Sequence, residues 1–234
     1  MNKTYKCIDC FCGAGGLCLG LIQAGFDILY SFDIEAKAIA TINANPKYFK
    51  NHKAETRDIY DVKTAELLKS LNFKSGELDL LAGGPPCQGF SVQRIGADLD
   101  ERNHLVEEYI SKVIAIRPKL FILENVPGIE GKRGKNILHS ALAKVEECGY
   151  FIHEKILDAQ DYGVPQRRRR VVIVGERKDH KIPLFEYPKP QEHKITVREA
   201  IAYLPEPPED GSDHPHISLH RRDRLSAKNI ARLQ

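Results

Sequence analysis

The stretch Gly83-Gly84-Pro85-Pro86-Cys87-Gln88-Gly89-Phe90-Ser91 carries the residue best suited to nucleophilic chemistry, Cys87. Two glycines let the chain turn sharply, and two prolines then fix the backbone and remove two donors. A thiol on so stiff a mount is a candidate nucleophile, because a thiolate is intrinsically reactive near neutral pH. A free cysteine is more often a buried packing group, but a packing cysteine needs no Gly-Gly-Pro-Pro support. Further along, Glu124 follows the apolar run Lys119-Leu120-Phe121-Ile122-Leu123 and is a candidate acid. Arg167-Arg168-Arg169-Arg170 lead into Val171-Val172-Ile173-Val174. Such a run is usually a solvated basic patch; in a strand, alternation would send Arg168 and Arg170 to one face and Arg167 and Arg169 to the other.

A second group of residues has the pattern of a nucleoside site. Asp9-Cys10-Phe11-Cys12-Gly13-Ala14-Gly15-Gly16 follows a short apolar segment, and Asp33 lies twenty residues after Gly13. That distance suits a carboxylate gripping ribose hydroxyls in a βαβ unit. The dinucleotide fingerprint requires a small third residue, where this chain has Cys18, which weakens a pyrophosphate reading. A nucleoside cofactor without a pyrophosphate, S-adenosylmethionine foremost, satisfies both observations. Asp58 is expected at the same edge, where it could accept from an adenine amino group; a cap or turn role is equally open.

Positioning these residues takes a regular series of elements. The pattern predicts strands over 4–11 and 26–32 around a helix at 17–24, a second helix over 36–44, and a third strand ending near 57–59. Asp61 is expected to N-cap a helix running to Leu71, and a strand over 77–82 to deliver the Cys87 loop. A mobile loop over 92–102 precedes a helix at 103–116 and a strand at 119–123. A helix over 135–148 leads to strands at 150–158 and 170–176, too closely connected for a helical crossover and so antiparallel. Past Arg177 prolines accumulate; a short helix is expected at 196–204 and another from Ser226. The fold class is α/β with a mostly parallel sheet and an antiparallel last strand, divided as a catalytic domain over 1–180 and, over 181–234, a connector with the start of a target-recognition region.

Bulk properties set limits. With 42% hydrophobic and 29% charged residues the 234-residue chain is globular, and a net charge of only +3 is no strong nucleic-acid signal. No apolar run approaches the ~20 residues of a membrane span. Of six cysteines, Cys7, Cys10, Cys12 and Cys18 crowd the first eighteen residues without a second Cys/His pair, so no metal is expected. With no secretory signal pattern, reduced thiols in an intracellular protein are expected.

Taken in order, these motifs resemble the cytosine-5 DNA methyltransferases, a Rossmann-like S-adenosylmethionine-dependent methyltransferase fold. The matching blocks are Phe11-Cys12-Gly13-Ala14-Gly15-Gly16, Gly84 to Ser91, Asp100-x-Arg102-Asn103-x-Leu105, Glu124-Asn125-Val126, Gln166-x-Arg168-x-Arg170 and Thr196 to Ile201. The resemblance implies cofactor contacts from Phe11, Gly13, Ala14, Gly16, Leu17, Asp33, Ile34, Asp58, Ile59, Pro86 and Leu105. It implies substrate contacts from Gln88, Ser91, Gln93 and Arg94, and catalysis by Cys87, Glu124, Arg168 and Arg170. Double-stranded DNA and a restriction-modification setting follow from the same resemblance. The family's target-recognition domain and last helix do not follow here, so the chain reads as a truncated enzyme, a fragment, or one subunit of a split enzyme whose second polypeptide supplies those parts.

Three other readings compete. A tRNA cytosine-5 methyltransferase would usually carry Pro-Phe-Thr after Cys-Gln, where this chain has Gly89-Phe90-Ser91. A catalytically silent methyltransferase partner need not keep Cys87, Glu124, Arg168 and Arg170. A nicotinamide enzyme is disfavoured by Cys18 and leaves Cys87 unexplained.

Overall fold

The computed structural model describes residues 4–50, 52–86, 104–131 and 134–222. Cys87, Gln88, Ser91, Gln93 and Arg94, and the helix expected from Ser226, lie outside the described residues. The chain divides into two compact units, one of Met1–Asp158 with Arg168–Pro190 and one of Ala159–Arg167 with Gln191–Gln234.

The first unit is built on a seven-stranded sheet. Its strands are β1 (Lys6–Cys10), β2 (Asp27–Asp33), β3 (Glu55–Thr56), β4 (Leu80–Gly83), β5 (Leu120–Asn125), β6 (Tyr150–Asp158) and β7 (Arg169–Arg177). They lie in the order β3-β2-β1-β4-β5-β7-β6. The first five are joined in parallel and β7 is antiparallel to both β5 and β6, which is the expected fold class. The chain builds outward from β1 through β2 to β3, then restarts at β4 on the other side. That reversal opens a crevice at the carboxyl ends of β1 and β4, the place where open α/β sheets bind ligands.

Helices α1 (Gly16–Gln23) and α2 (Ala36–Asn43) share one apolar layer with the sheet, in which Cys18, Leu21, Ile22, Ile39 and Ile42 meet Cys7, Ile28 and Leu80. Helices α3 (Thr64–Ser70), α4 (His104–Ile116) and α5 (Gly134–Glu147) share the other. On α4 the buried residues Val106, Tyr109, Ile110, Val113 and Ile116 repeat at three and four, the single apolar stripe of a helix lying on a sheet. Tyr109, Phe121 and Tyr150 meet edge to face beneath the centre of the sheet.

Three local expectations are corrected. Asp61 caps no helix: it ends a 3-10 turn, Ile59–Asp61, and α3 starts at Thr64 behind Lys63. Asp58 is the residue that caps that turn, its carboxylate accepting from Tyr60 N–H at 3.1 Å. The third strand stops at Thr56, because only Glu55 and Thr56 find partners on β2, so Asp58 stands just past the strand. In the arginine run β7 begins at Arg169, so strand alternation does not govern Arg167 or Arg168. The second unit contains α6 (Val197–Ile201), closed by a capping box between Thr196 and Glu199. Among the described residues no helix is long and apolar enough to cross a membrane.

Candidate active site

The turn after β1 is held from three directions. Cys12 N–H donates to the Phe32 carbonyl at 3.1 Å, and Gly15 N–H to the Cys12 carbonyl at 2.9 Å. Gly13 N–H donates to Asp33 Oδ2 at 2.9 Å, so the twenty-residue spacing becomes a direct bond between turn and strand end. Gly15 has φ +91°, and a Cβ there would stand 2.6 Å from Phe49 Cζ and 2.9 Å from Ile42 Cγ1. Only glycine satisfies both conditions, which lets α1 start close against α2.

Below the turn lies an acid the sequence did not mark. Asp9 is fully buried; Cys18 Sγ donates to its Oδ2 at 2.9 Å, and its Oδ1 has no hydrogen-bond partner. Burial, the largest cause, pushes its carboxyl up to about 7. Cys18 is fully buried too, and its thiol is pushed well up, first by a hydrogen bond with Cys12. Cys7 and Cys10 are raised chiefly by burial. These cysteines act as small, unreactive packing groups. All described cysteines are free.

At the crevice a cavity of about 390 Å³ is lined by Phe11, Phe32, Asp33, Ile34, Arg57, Asp58, Ile59, Tyr60, Pro86 and Leu105. That is within the range of small-molecule sites. Seven of the expected cofactor contacts are among them: Phe11, Asp33, Ile34, Asp58, Ile59, Pro86 and Leu105. Gly13, Ala14, Gly16 and Leu17 do not line it; Gly13 is tied to it through Asp33. Phe32, Arg57 and Tyr60 were missed, although each is a chain neighbour of an expected residue. The fit to a nucleoside is chemical as well as spatial. Apolar Phe11, Ile34, Ile59, Pro86 and Leu105 offer faces to a flat base. Asp33 spends one acceptor position on each oxygen, on Gly13 N–H and Glu35 N–H, both at 2.9 Å. A carboxylate has about four such positions, so two remain for ribose hydroxyls.

Beside this cavity β5 delivers Glu124, whose Oε1 accepts from Arg170 Nε at 2.8 Å. Glu124 also approaches the Gly-Gly-Pro-Pro segment: a Cβ on Gly84 would lie 3.2 Å from its Oε2. The strand pairing explains the meeting, since Glu124 stands opposite Val172 and Arg170 lies two residues along the same face. Arg168 does not join this pair; its side chain is exposed and its N–H donates to Asp158 Oδ1 at 3.0 Å. Among the described residues no group of three or more His, Cys, Asp or Glu side chains could hold a metal ion.

Comparison with known proteins places this geometry in context. Residues 5–231 match the model of the C-5 cytosine-specific DNA methylase family. The chain is 38% identical over 226 residues to the type II methyltransferase M.AgeI of Thalassovita gelatinovora, covering 94% of this chain and 50% of that protein. It is 37% identical over 223 residues to the type II methyltransferase M.XorII of Xanthomonas oryzae pv. oryzae, again covering 94% and 50%. The crystal structure of a prophage-encoded E. coli protein, described as a candidate DNA modification methyltransferase, superposes with a TM-score of 0.75 at 32% identity, over 87% of this chain and 56% of that one. The chain thus spans about half the length of the curated relatives it matches.

Proposed function

Because the chain belongs to the C-5 cytosine-specific DNA methylase family, we propose that it is the catalytic part of a DNA (cytosine-5-)-methyltransferase of the restriction-modification type. The observation that carries this reading is the adjacency of a nucleoside-sized cavity, closed by Pro86, to the Gly84–Glu124–Arg170 corner. Asp33 would hold ribose hydroxyls and Asp58 the adenine amino group of S-adenosylmethionine, with Phe11, Ile34, Ile59 and Leu105 against the base. When bound, that cofactor supplies an electrophilic methyl group.

The chemical difficulty is that carbon 5 of cytosine is a poor nucleophile. Addition of the Cys87 thiolate to carbon 6 makes the ring enamine-like and moves negative charge onto N3 and O2. Glu124 would share a proton with N3 and so stabilise that charge. Arg170, fixed by its 2.8 Å bond to Glu124, supplies a cation for O2. After methylation the carbon 5 proton leaves to solvent and the electron pair expels Cys87. Arg168, exposed and beside this pair in sequence, supports the site or meets a phosphate. None of these chemical steps is reachable in stacked duplex, so the cytosine must be flipped out, at a cost of a few kcal/mol. Gln88, Ser91, Gln93 and Arg94 are the residues we assign to holding the DNA around it.

Beyond DNA, a second polypeptide is a candidate partner. On β5, Phe121, Leu123 and Asn125 are buried, and Leu120 and Ile122, though partly exposed, pack against the α1–α2 layer. The protein would work inside the cell, where DNA is. Incubation with labelled S-adenosylmethionine and either duplex DNA or tRNA tests the reading, repeated with the C-terminal half of a relative added in trans. Label in DNA as 5-methylcytosine is the expected result. Label in tRNA instead supports the RNA branch, and no label in any arm supports a silent partner.

A further inference from the structure

Asn125, one residue beyond Glu124, is only 4% exposed. Its Nδ2 donates to the Pro85 carbonyl at 2.9 Å. Its Oδ1 accepts from Val126 N–H at 2.8 Å. Pro85 lies two residues ahead of Cys87. Neither Pro85 nor Pro86 has an N–H, so only carbonyls are available to hold the main chain of this pair. The two residues before them are held by contact. A Cβ on Gly83 would stand 2.6 Å from Tyr109 Cε2 and 3.0 Å from the Cys10 carbonyl, and one on Gly84 3.2 Å from Glu124 Oε2. Contact restricts where these residues lie; the Asn125 bond, being directional, fixes how the chain is oriented when it leaves them.

Resting on the methyltransferase reading above, we propose that Asn125 is a positioning residue for the nucleophile. Its amide, by holding the Pro85 carbonyl, sets the direction in which the chain runs from β4 toward Cys87. Because Asn125 and Glu124 are consecutive on β5, the Pro85 carbonyl and the Glu124 carboxylate share one mount. The residue type follows from the two bonds. Val126 needs an acceptor, which Asp or Ser could supply. Pro85 needs a donor at the reach of a carboxamide, which neither can supply.

Asn125→Asp is therefore the selective probe: it keeps the acceptor for Val126 and replaces the donor by an oxygen facing a carbonyl. The assay traps the Cys87 adduct on duplex DNA containing 5-fluorocytosine with S-adenosylmethionine present, and it is paired with titration of S-adenosylhomocysteine. Misplacement of a reacting group by about 1 Å costs roughly 10² in rate. Adduct formation is expected to fall about a hundredfold, while S-adenosylhomocysteine affinity changes by less than about threefold. A merely structural role would move both together or neither. If Asn125→Asp does not fold, Asn125→Ser decides, since it also keeps an acceptor and loses the reach. Adduct formation within threefold of the parent protein in the folded variant overturns the proposal alone. No adduct in the parent protein overturns the functional reading and this proposal with it.

Discussion

Gly15→Ala is the sharpest single perturbation of the cofactor turn. Alanine would have to adopt φ near +91°, at which Gly15 now sits. A left-handed conformation costs an L residue roughly 1–2 kcal/mol. Its Cβ would also press on Phe49 at 2.6 and 2.7 Å and on Ile42 at 2.9 Å. Both neighbours are buried, Ile42 completely, so neither can swing into solvent. Overpacking of this kind costs about 1–3 kcal/mol. The sum, about 2–5 kcal/mol, is a large part of an ordinary domain's stability of about 5–15 kcal/mol. For a chain of this size it corresponds to a melting temperature lower by roughly 4–20 °C. Gly16→Ala is the matched control, because nothing lies within 4 Å of its Cβ and its φ is not positive. That variant should melt within about 2 °C of the parent, as a change of about 0.5 kcal/mol would give. Differential scanning calorimetry of the three proteins side by side is the assay. Gly15→Ala melting with the parent protein would refute the packing argument, and with it the claim that close α1–α2 contact dictates this glycine.

The electrostatics offer three further tests. Burial pushes the Asp9 carboxyl up to about 7 from the ordinary 3.8, so between these values the folded state binds the extra proton. Stability from this group is complete below pH 4 and is lost as the pH rises toward 7. Asp9→Asn should therefore gain relative to the parent by a few kcal/mol between pH 4 and 8, measured by urea unfolding; a constant difference across that range contradicts the assignment. Asp33→Asn leaves one of two backbone N–H groups, Gly13 or Glu35, facing an amide NH₂. It should cost about 1–3 kcal/mol in the same assay and weaken S-adenosylhomocysteine binding in calorimetric titration. Glu124→Gln breaks an ion pair whose partners are 25% and 35% exposed, so its effect on stability should be under about 1 kcal/mol. Turnover should nevertheless fall at least about a hundredfold if Glu124 stabilises the charge on N3; turnover within about threefold of the parent protein would contradict that role.

Much of this arrangement was legible because it depends on chain spacing. Glycine turn, helix, strand and acid are consecutive, and the fold closes them on themselves through the Gly13–Asp33 bond. Cys18, the departure from the dinucleotide fingerprint, also has a physical reason: a small side chain is needed beneath α1, and its thiol reaches Asp9. The acids at Asp33 and Asp58 both face the expected crevice, because parallel strands bring their carboxyl ends to one edge. Side-chain partnerships across distant segments were not legible. Asp9 looks in sequence like any acid in a turn, and only burial under α1 makes it unusual. Asn125 belongs to a matched block, yet its bond to Pro85 spans forty residues and no spacing announces it. The pairing of Arg168 with Arg170 carried strand alternation back beyond a strand expected at 170–176, whereas the β7 ladder starts at Arg169 opposite Asp158 and leaves Arg168 outside it. Arg57 lines the cavity beside Asp58, and no spacing in the sequence marks it.

In the proposed mechanism a cysteine carried by the Gly-Gly-Pro-Pro mount attacks a cytosine beside the Asp33–Asp58 cavity. Trapping with 5-fluorocytosine duplex DNA and S-adenosylmethionine, followed by proteolysis and peptide mass spectrometry, tests it directly. The expected product is a denaturant-stable complex whose modified peptide carries the nucleotide on Cys87, and which Cys87→Ser abolishes without loss of S-adenosylhomocysteine binding. A complex that persists in Cys87→Ser, or one attached through another residue, would contradict it.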